Sequence, residues 1–165
     1  MNDIGALPTD ENARICAAHG AALLIMHSIG EPKVKHTHIH YDDVMQTLKV
    51  FFAEKIAMAL SAGVAKDAII IDPGIDFAKQ RGDNLRIYSE LARLEKFERP
   101  ILLPVSRKTV IGEALGIADA SQRDAGTVAC IVSGMLRGAS IFRVHNVRAA
   151  VQTVRMIHAV DQAAV

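Results

Sequence analysis

Four short apolar runs constrain this chain most: ALLIM at 22–26, AIII at 68–71, ILLPV at 101–105 and ASIFRV at 139–144. Each is continuously apolar rather than alternating, the pattern of a strand covered on both faces. Pro104 brings no N–H to a ladder, so the third strand is expected to be nearly over where it appears. Helical patterns fill the gaps. TDENARICAAH has Thr9 as its expected N-cap and Gly20 beyond its end. DDVMQTLKVFFAEKIAMALSAG carries Val44, Leu48, Phe51 and Phe52 at helical spacing and stops at Gly63. NLRIYSELARLEKF sets Leu85, Tyr88, Leu91 and Leu94 on one face. A shorter segment follows Ser106. SQRDAGTVACIVSGMLRG starts at Ser121 and contains Gly126 and Gly134, poor helix formers that suggest close packing. NVRAAVQTVRMIHAV opens on Asn146 as its cap.

Strand followed by helix, four times over, argues for an α/β fold with a parallel sheet and helical crossovers. Two architectures fit: an open doubly wound sheet, or part of a (β/α)8 barrel. A complete barrel needs about 250 residues, and the chain has 165. Length alone favours the open sheet.

Half of the residues are hydrophobic and the formal net charge is +1. A chain of this length makes one domain, 1–165, with a real core. No charge excess points to nucleic acid or an anionic membrane. No apolar run approaches the ~20 residues of a spanning helix, and MNDIGALPTDEN has neither the basic start nor the apolar stretch of a signal peptide. Cys16 and Cys130 lie far apart in helical patterns and read as reduced core thiols, with a cytoplasmic setting expected.

In either architecture, function gathers at the C-terminal ends of the strands. Here those exits are Met26 and His27; Asp72, Pro73 and Gly74; Ser106, Arg107 and Lys108; and Arg143, His145 and Asn146. An ionised Asp72 is an acceptor whose two oxygens match a paired N–H edge on a heterocycle. Lys108 is a mobile cation for a ring carbonyl or a carboxylate. Arg143 offers a donor fork for phosphate and His145 adds a donor. Ser106 and Thr109 lie at the start of a short helix, a place suited to an anion. The rim therefore suits a polar heterocycle bearing an anionic group, with a second anion near Thr109. Singly, each residue has a plainer reading: a turn aspartate, a solvated helix start, a surface ion pair. Their recurrence at successive strand ends is what favours a site.

HTHIH places His36, His38 and His40 at alternate positions, which on a strand could face a transition metal. The segment has loop composition and no accompanying carboxylate of defined geometry. The expectation is adventitious nickel or zinc binding rather than a built site.

Several stretches resemble the dihydropteroate synthase family. IIIDPGIDFAK resembles its DPGIGFGK signature, LLPVSRKTVIGEALG its SRK strand-and-helix motif, and RDAGTVACIVSGMLRGASIFRVHNV its closing helix and RVHDV strand. LIMHSIGEPK and MNDIG resemble its MH–G–PK and NDI(S)G segments. The related methyltetrahydrofolate transferases share the pterin-binding barrel and DPG but not SRK. The resemblance implies the C-terminal half of a (β/α)8 barrel, strands five to eight plus the end of strand four, with the N-terminal half absent. It implies a transferase of folate biosynthesis, in which p-aminobenzoate displaces diphosphate from hydroxymethyl-dihydropterin diphosphate to give dihydropteroate. It implies that Asn2, Met26, Asp72 and Lys108 hold the pterin, that Phe77, Ser106 and Thr109 hold p-aminobenzoate, and that Arg143 and His145 hold the diphosphate. Lys108, Arg143 and His145 would be the catalytic groups. Magnesium (Mg2+) would accompany the diphosphate, with its protein ligand outside this chain.

The sequence also departs from that family. Asp76 and Ala78 stand where glycines are usual, and Asp76 adds negative charge near the implied carboxylate site. Ile29 replaces a commonly polar residue, and Asn146 replaces the Asp of RVHDV. A half-barrel would expose strand edges and an apolar inner face, so a homodimer is expected. The expectations are an incomplete synthase inactive on its own, or a non-catalytic pterin-binding or oligomerising half-barrel. An open α/β phosphate-binding protein is the reading without the resemblance.

Overall fold

The computed structural model of the chain describes residues 1–30 and 39–163. Five strands form one parallel sheet: β1 (Asn2–Asp3), β2 (Leu23–Met26), β3 (Ile69–Asp72), β4 (Ile101–Leu103) and β5 (Ala139–Phe142). Helices α1 (Glu11–Ala18), α2 (Val44–Ser61), α3 (Arg81–Ser89), α4 (Thr109–Leu115), α5 (Asp124–Met135) and α6 (Val147–Gln162) occupy the crossovers and the C-terminal end.

The strand order decides between the two architectures. It runs β1-β2-β3-β4-β5 without reversal. A doubly wound sheet reverses its order at a switch point so that helices cover both faces. An order that only advances, with right-handed crossovers, puts every crossover helix on one side. This is the winding of a barrel, and the sheet is an arc of one.

Burial agrees. Leu23, Ile25, Ile69, Ile71, Ile101 and Leu103 are fully buried and join the core with Leu48, Phe52, Ile87 and Leu91 from the helix layer. The alternating positions Ile70, Leu102 and Ile141 are part-exposed. Side chains two apart on a strand share a face. Ile70 therefore shares its face with Asp72, and its register partner Leu24 shares it with Met26. The second face is thus more open than continuous apolarity suggested. Asp72 and Met26, paired in register at the strand ends, point to that open, inner side.

Most elements lie where the pattern placed them. The third strand stops at Leu103, one residue before Pro104. Asn146 caps α6 by accepting the Ala149 N–H at 3.1 Å. A Cβ on Gly126 would lie 2.3 Å from Ile111 Cγ2, and one on Gly134 2.7 Å from Leu103 Cδ1, so both glycines mark tight helix contacts. Three expectations need correction. Helix α5 begins at Asp124, behind a 3-10 turn at Ala120–Gln122, rather than at Ser121. The cap of α1 is Asp10 rather than Thr9, and its side chain pairs with Arg14 instead of a helix N–H. The segment 84–97 is not one α-helix: α3 begins at Arg81, behind a Gln80–Asp83 capping box, and Leu91–Phe97 is 3-10. Leu91, Leu94 and Phe97 recur every third residue, which matches three residues per turn better than 3.6. Leu85 faces solvent.

Candidate active site

The β3 exit is the centre of the rim. Asp72 is 3% exposed, and its Oδ1 accepts the Gly74 N–H at 2.8 Å. This turn aims the carboxyl group inward, and Oδ2 takes no hydrogen bond from the described residues. Gly74 is required at the turn. Its φ is +70°, and a Cβ there would lie 2.0 Å from the His27 carbonyl oxygen. The chain after β3 is pressed against the chain after β2, and only glycine permits that approach.

Burial pushes the Asp72 carboxyl up to about 6; the Gly74 N–H and then Lys108, Lys79 and Arg143 pull the other way. Three cations from three loops thus act electrostatically on one carboxylate. Lys79 is itself buried. Its Nζ donates to the Phe77 carbonyl at 3.0 Å and lies 2.9 Å from His27 Nδ1. Burial lowers Lys79 to about 7, with Asp72 the main opposing influence. His27 is lowered to about 3 by burial and by Lys79, so its imidazole is neutral and Nδ1 accepts from the ammonium. Phe51 meets the His27 ring edge to face, at 4.8 Å between centroids. Aromatic packing, a neutral histidine and a lysine thus form a floor beneath Asp72.

The SRK stretch sends its side chains three ways. Ser106 Oγ lies 2.7 Å from His145 Nδ1 and accepts the His145 backbone N–H at 3.2 Å, tying the β4 exit to the β5 exit. Arg107 adopts φ +56° and turns outward to grip both oxygens of Asp124. Asp124 also receives the Asn146 amide, and these bonds hold its carboxyl down at about 2. Lys108 turns inward. Its Nζ donates to the Ile75 carbonyl at 2.8 Å and sits 4.8 Å from the Phe77 ring centroid. Burial lowers Lys108, opposed first by Asp76 and then by Asp72. Arg123 braces the loop, donating to the carbonyls of Arg107 and Lys108 at 3.1 and 3.2 Å.

Asp76 and Ala78 adopt φ +67° and +50°, the left-handed region that glycine tolerates and other residues pay for with roughly 1 kcal/mol or more. Both positions where glycine was expected are therefore positions that ask for it. The Asp76 carboxylate reaches across to α4 and accepts the N–H groups of Thr109 and Val110.

Of the residues singled out from sequence, Met26, Asp72, Phe77 and Lys108 are brought together. Ser106 is joined to His145, beside the exposed Arg143. Thr109 is joined to Asp76 rather than to Ser106. Asn2 is exposed on β1, two strands from Asp72. Sequence reasoning missed Lys79 and Asn84, and it named His27 as a strand exit without giving it a partner. Lys79 belongs to the same stretch as Asp72, but its partner lies 52 residues away. Of the histidine cluster, His36 and His38 fall outside the described residues, and His40 is exposed. Among the described residues no group of three His, Cys, Asp or Glu is placed to hold a metal. Arg143 at the rim fits phosphate oxygens rather than a cation, so these residues do not fit a protein-held magnesium ion.

Comparison with known proteins places this geometry. Residues 1–145 match the family model described as pterin binding enzyme. The dihydropteroate synthase of Escherichia coli (strain K12) is 35% identical over 159 residues, 96% of this chain and 56% of that protein. The structure of Yersinia pestis dihydropteroate synthase with a sulfonamide drug superposes with a TM-score of 0.91 at 35% identity, covering 98% of this chain and 59% of that one. The Xanthomonas albilineans dihydropteroate synthase with 4-aminobenzoic acid gives 0.89 at 36% identity, with 97% and 56% covered. The chain spans about half the length of the curated relatives it matches. A match over most of its residues, on an arc of parallel strands whose exits carry Asp72, Lys108 and Arg143, shows that the chain belongs to the pterin-binding enzyme family.

Proposed function

We propose that the chain forms the C-terminal side of a dihydropteroate synthase site, one that transfers the dihydropterinylmethyl group of hydroxymethyl-dihydropterin diphosphate to an arylamine of the p-aminobenzoate type, forming the C–N bond as the C–O bond to diphosphate breaks. The observation that carries this reading is Asp72, buried at the end of β3, its Oδ1 held by Gly74, with Lys79, Lys108 and Arg143 around it. Asp72 Oδ2 accepts from the amino edge of the pterin and Lys108 meets the ring on the same side, with Met26 lining its face. Phe77 and the Lys108 stem give the arylamine an apolar wall. Arg143, with the Ser106–His145 pair beside it, takes the departing diphosphate. Leaving-group departure separates charge, so a carboxylate at the electron-poor ring and donors at the leaving oxygens both favour the transition state over bound substrate.

Because the matched length is about half that of the relatives, the expectation for these 165 residues alone is pterin binding without turnover. Calorimetric titration with 6-hydroxymethylpterin tests the reading: saturable binding weakened by Asp72→Asn and Lys108→Ala supports it, and no binding ends it. Dihydropteroate formed by the purified chain, and lost in Lys108→Ala, would correct the expectation of inactivity. A homodimer is a further proposal, and it would cover an apolar groove. A groove of about 610 Å³ runs between β5 and α6, lined by Phe142, Val144, Val147, Val151 and Val154. Mass measured in solution tests it, and a well-folded monomer at low micromolar concentration would exclude it.

A further inference from the structure

The carboxylate of Asp76 is clamped at the start of α4. Oδ2 accepts the Thr109 N–H, and Oδ1 accepts the Val110 N–H at 3.3 Å. Asn84, buried at 2% exposure, holds the residue from both sides: its Nδ2 donates to Oδ1 at 3.1 Å, and its Oδ1 accepts the Asp76 backbone N–H at 2.9 Å. A left-handed aspartate held by four hydrogen bonds, two of them to a buried amide, is a fixed group rather than a solvated side chain. The Lys108 ammonium next to Phe77 is thereby already faced by a carboxylate from within the chain.

We propose that Asp76 determines acceptor specificity: it supplies a carboxylate at the start of α4 from inside the chain, so that an arylamine held between Phe77 and Lys108 is preferred when it carries no carboxylate of its own. The inference rests on the arylamine site proposed above. Two physical effects act together. The backbone donors at Thr109 and Val110 are taken, so an incoming carboxylate must leave water without finding them. It must also approach a like charge, which repels it. An uncharged para substituent such as a carboxamide meets neither obstacle.

The test is calorimetric titration of 4-aminobenzoate and 4-aminobenzamide into the full chain and its Asp76→Gly and Asp76→Asn variants, all saturated with 6-hydroxymethylpterin and inorganic diphosphate. The parent chain is expected to prefer the amide by tenfold or more. Asp76→Gly should gain at least tenfold for 4-aminobenzoate with less than threefold change for the amide. Asp76→Asn, which keeps the side-chain size and removes the charge, should fall between and guards against a folding defect in the glycine variant. A parent chain that binds 4-aminobenzoate as well as the amide, variants with unchanged preference, or no arylamine binding by any of the three overturns the proposal. Titration with 6-hydroxymethylpterin alone separates the two levels: pterin binding without arylamine preference overturns only the role of Asp76, whereas absent pterin binding overturns the site reading as well.

Discussion

If the ionised Asp72 is what the pterin edge pairs with, pterin affinity must follow that ionisation. Burial lifts the carboxyl to about 6. At pH 7 about nine-tenths of the molecules carry the carboxylate, and at pH 5 about one-tenth, so affinity should fall about tenfold between them. The loss at low pH is not an unfolding effect of this group. A carboxyl whose pKa is raised in the folded state contributes more stability below pH 6 and less as pH rises from about 4 through 6, so its own linkage strengthens the fold under acid conditions. Asp72→Asn keeps an oxygen for the Gly74 N–H and removes the charge. A hydrogen bond to a charged group contributes about 1.5–3 kcal/mol, which corresponds to a loss of roughly 10- to 150-fold at pH 7. The variant should also lose the carboxylate-linked part of the pH dependence. Titrations with 6-hydroxymethylpterin from pH 5 to 8 on both proteins read all three quantities. Affinity in the parent that is flat across that range, or an asparagine variant within threefold of the parent at pH 7, would refute the reasoning.

Two further predictions concern how the site is built. Gly74→Ala forces a Cβ to 2.0 Å from a main-chain carbonyl at positive φ, and should lower chemical-denaturation stability by about 3 kcal/mol or more; a loss under 1 kcal/mol would contradict the close approach of the β2 and β3 exits. Burial lowers Lys79 to about 7, so the unfolded chain binds more protons than the folded one between about 7 and 10, and stability contributed by this group rises with pH across that window. Lys79→Met should therefore show a smaller rise in Tm from pH 7 to 9.5 than the parent, and equal rises would remove Lys79 from the buried floor.

Much of this was legible in the sequence because it is local. A run of isoleucines ending in Asp-Pro-Gly says both that a buried strand stops and that a carboxylate is left at its end. Helix caps at Asp43 and Asn146 act within three residues. Residue patterning left single or double winding open, because crossover length and periodicity are the same for both; the family resemblance implied a half-barrel, and strand order, which is not a local property, agrees with it. The parts of the site that escaped notice join residues distant in sequence. Lys79 reaches His27 across 52 residues, and Asp76 reaches Thr109 across 33. Sequence comparison marked Asp76 and Ala78 as replacements for glycine, but only the backbone shows that both carry the positive φ that glycine would relieve. The tripeptide after β4 was legible as chemistry and not as direction: a left-handed Arg107 turns one cation outward to Asp124 while Lys108 turns inward.

The central claim is that the open end of β3 is a pterin seat built on Asp72. A crystal structure of the chain with 6-hydroxymethylpterin tests it most directly. The account predicts the pterin amino edge on Asp72 Oδ2, the Lys108 ammonium at the ring, and Met26 against its face. A pterin bound instead in the apolar cavity between α3, α4 and α5, lined by Tyr88, Ile111 and Ala129, with Asp72 untouched, would contradict it.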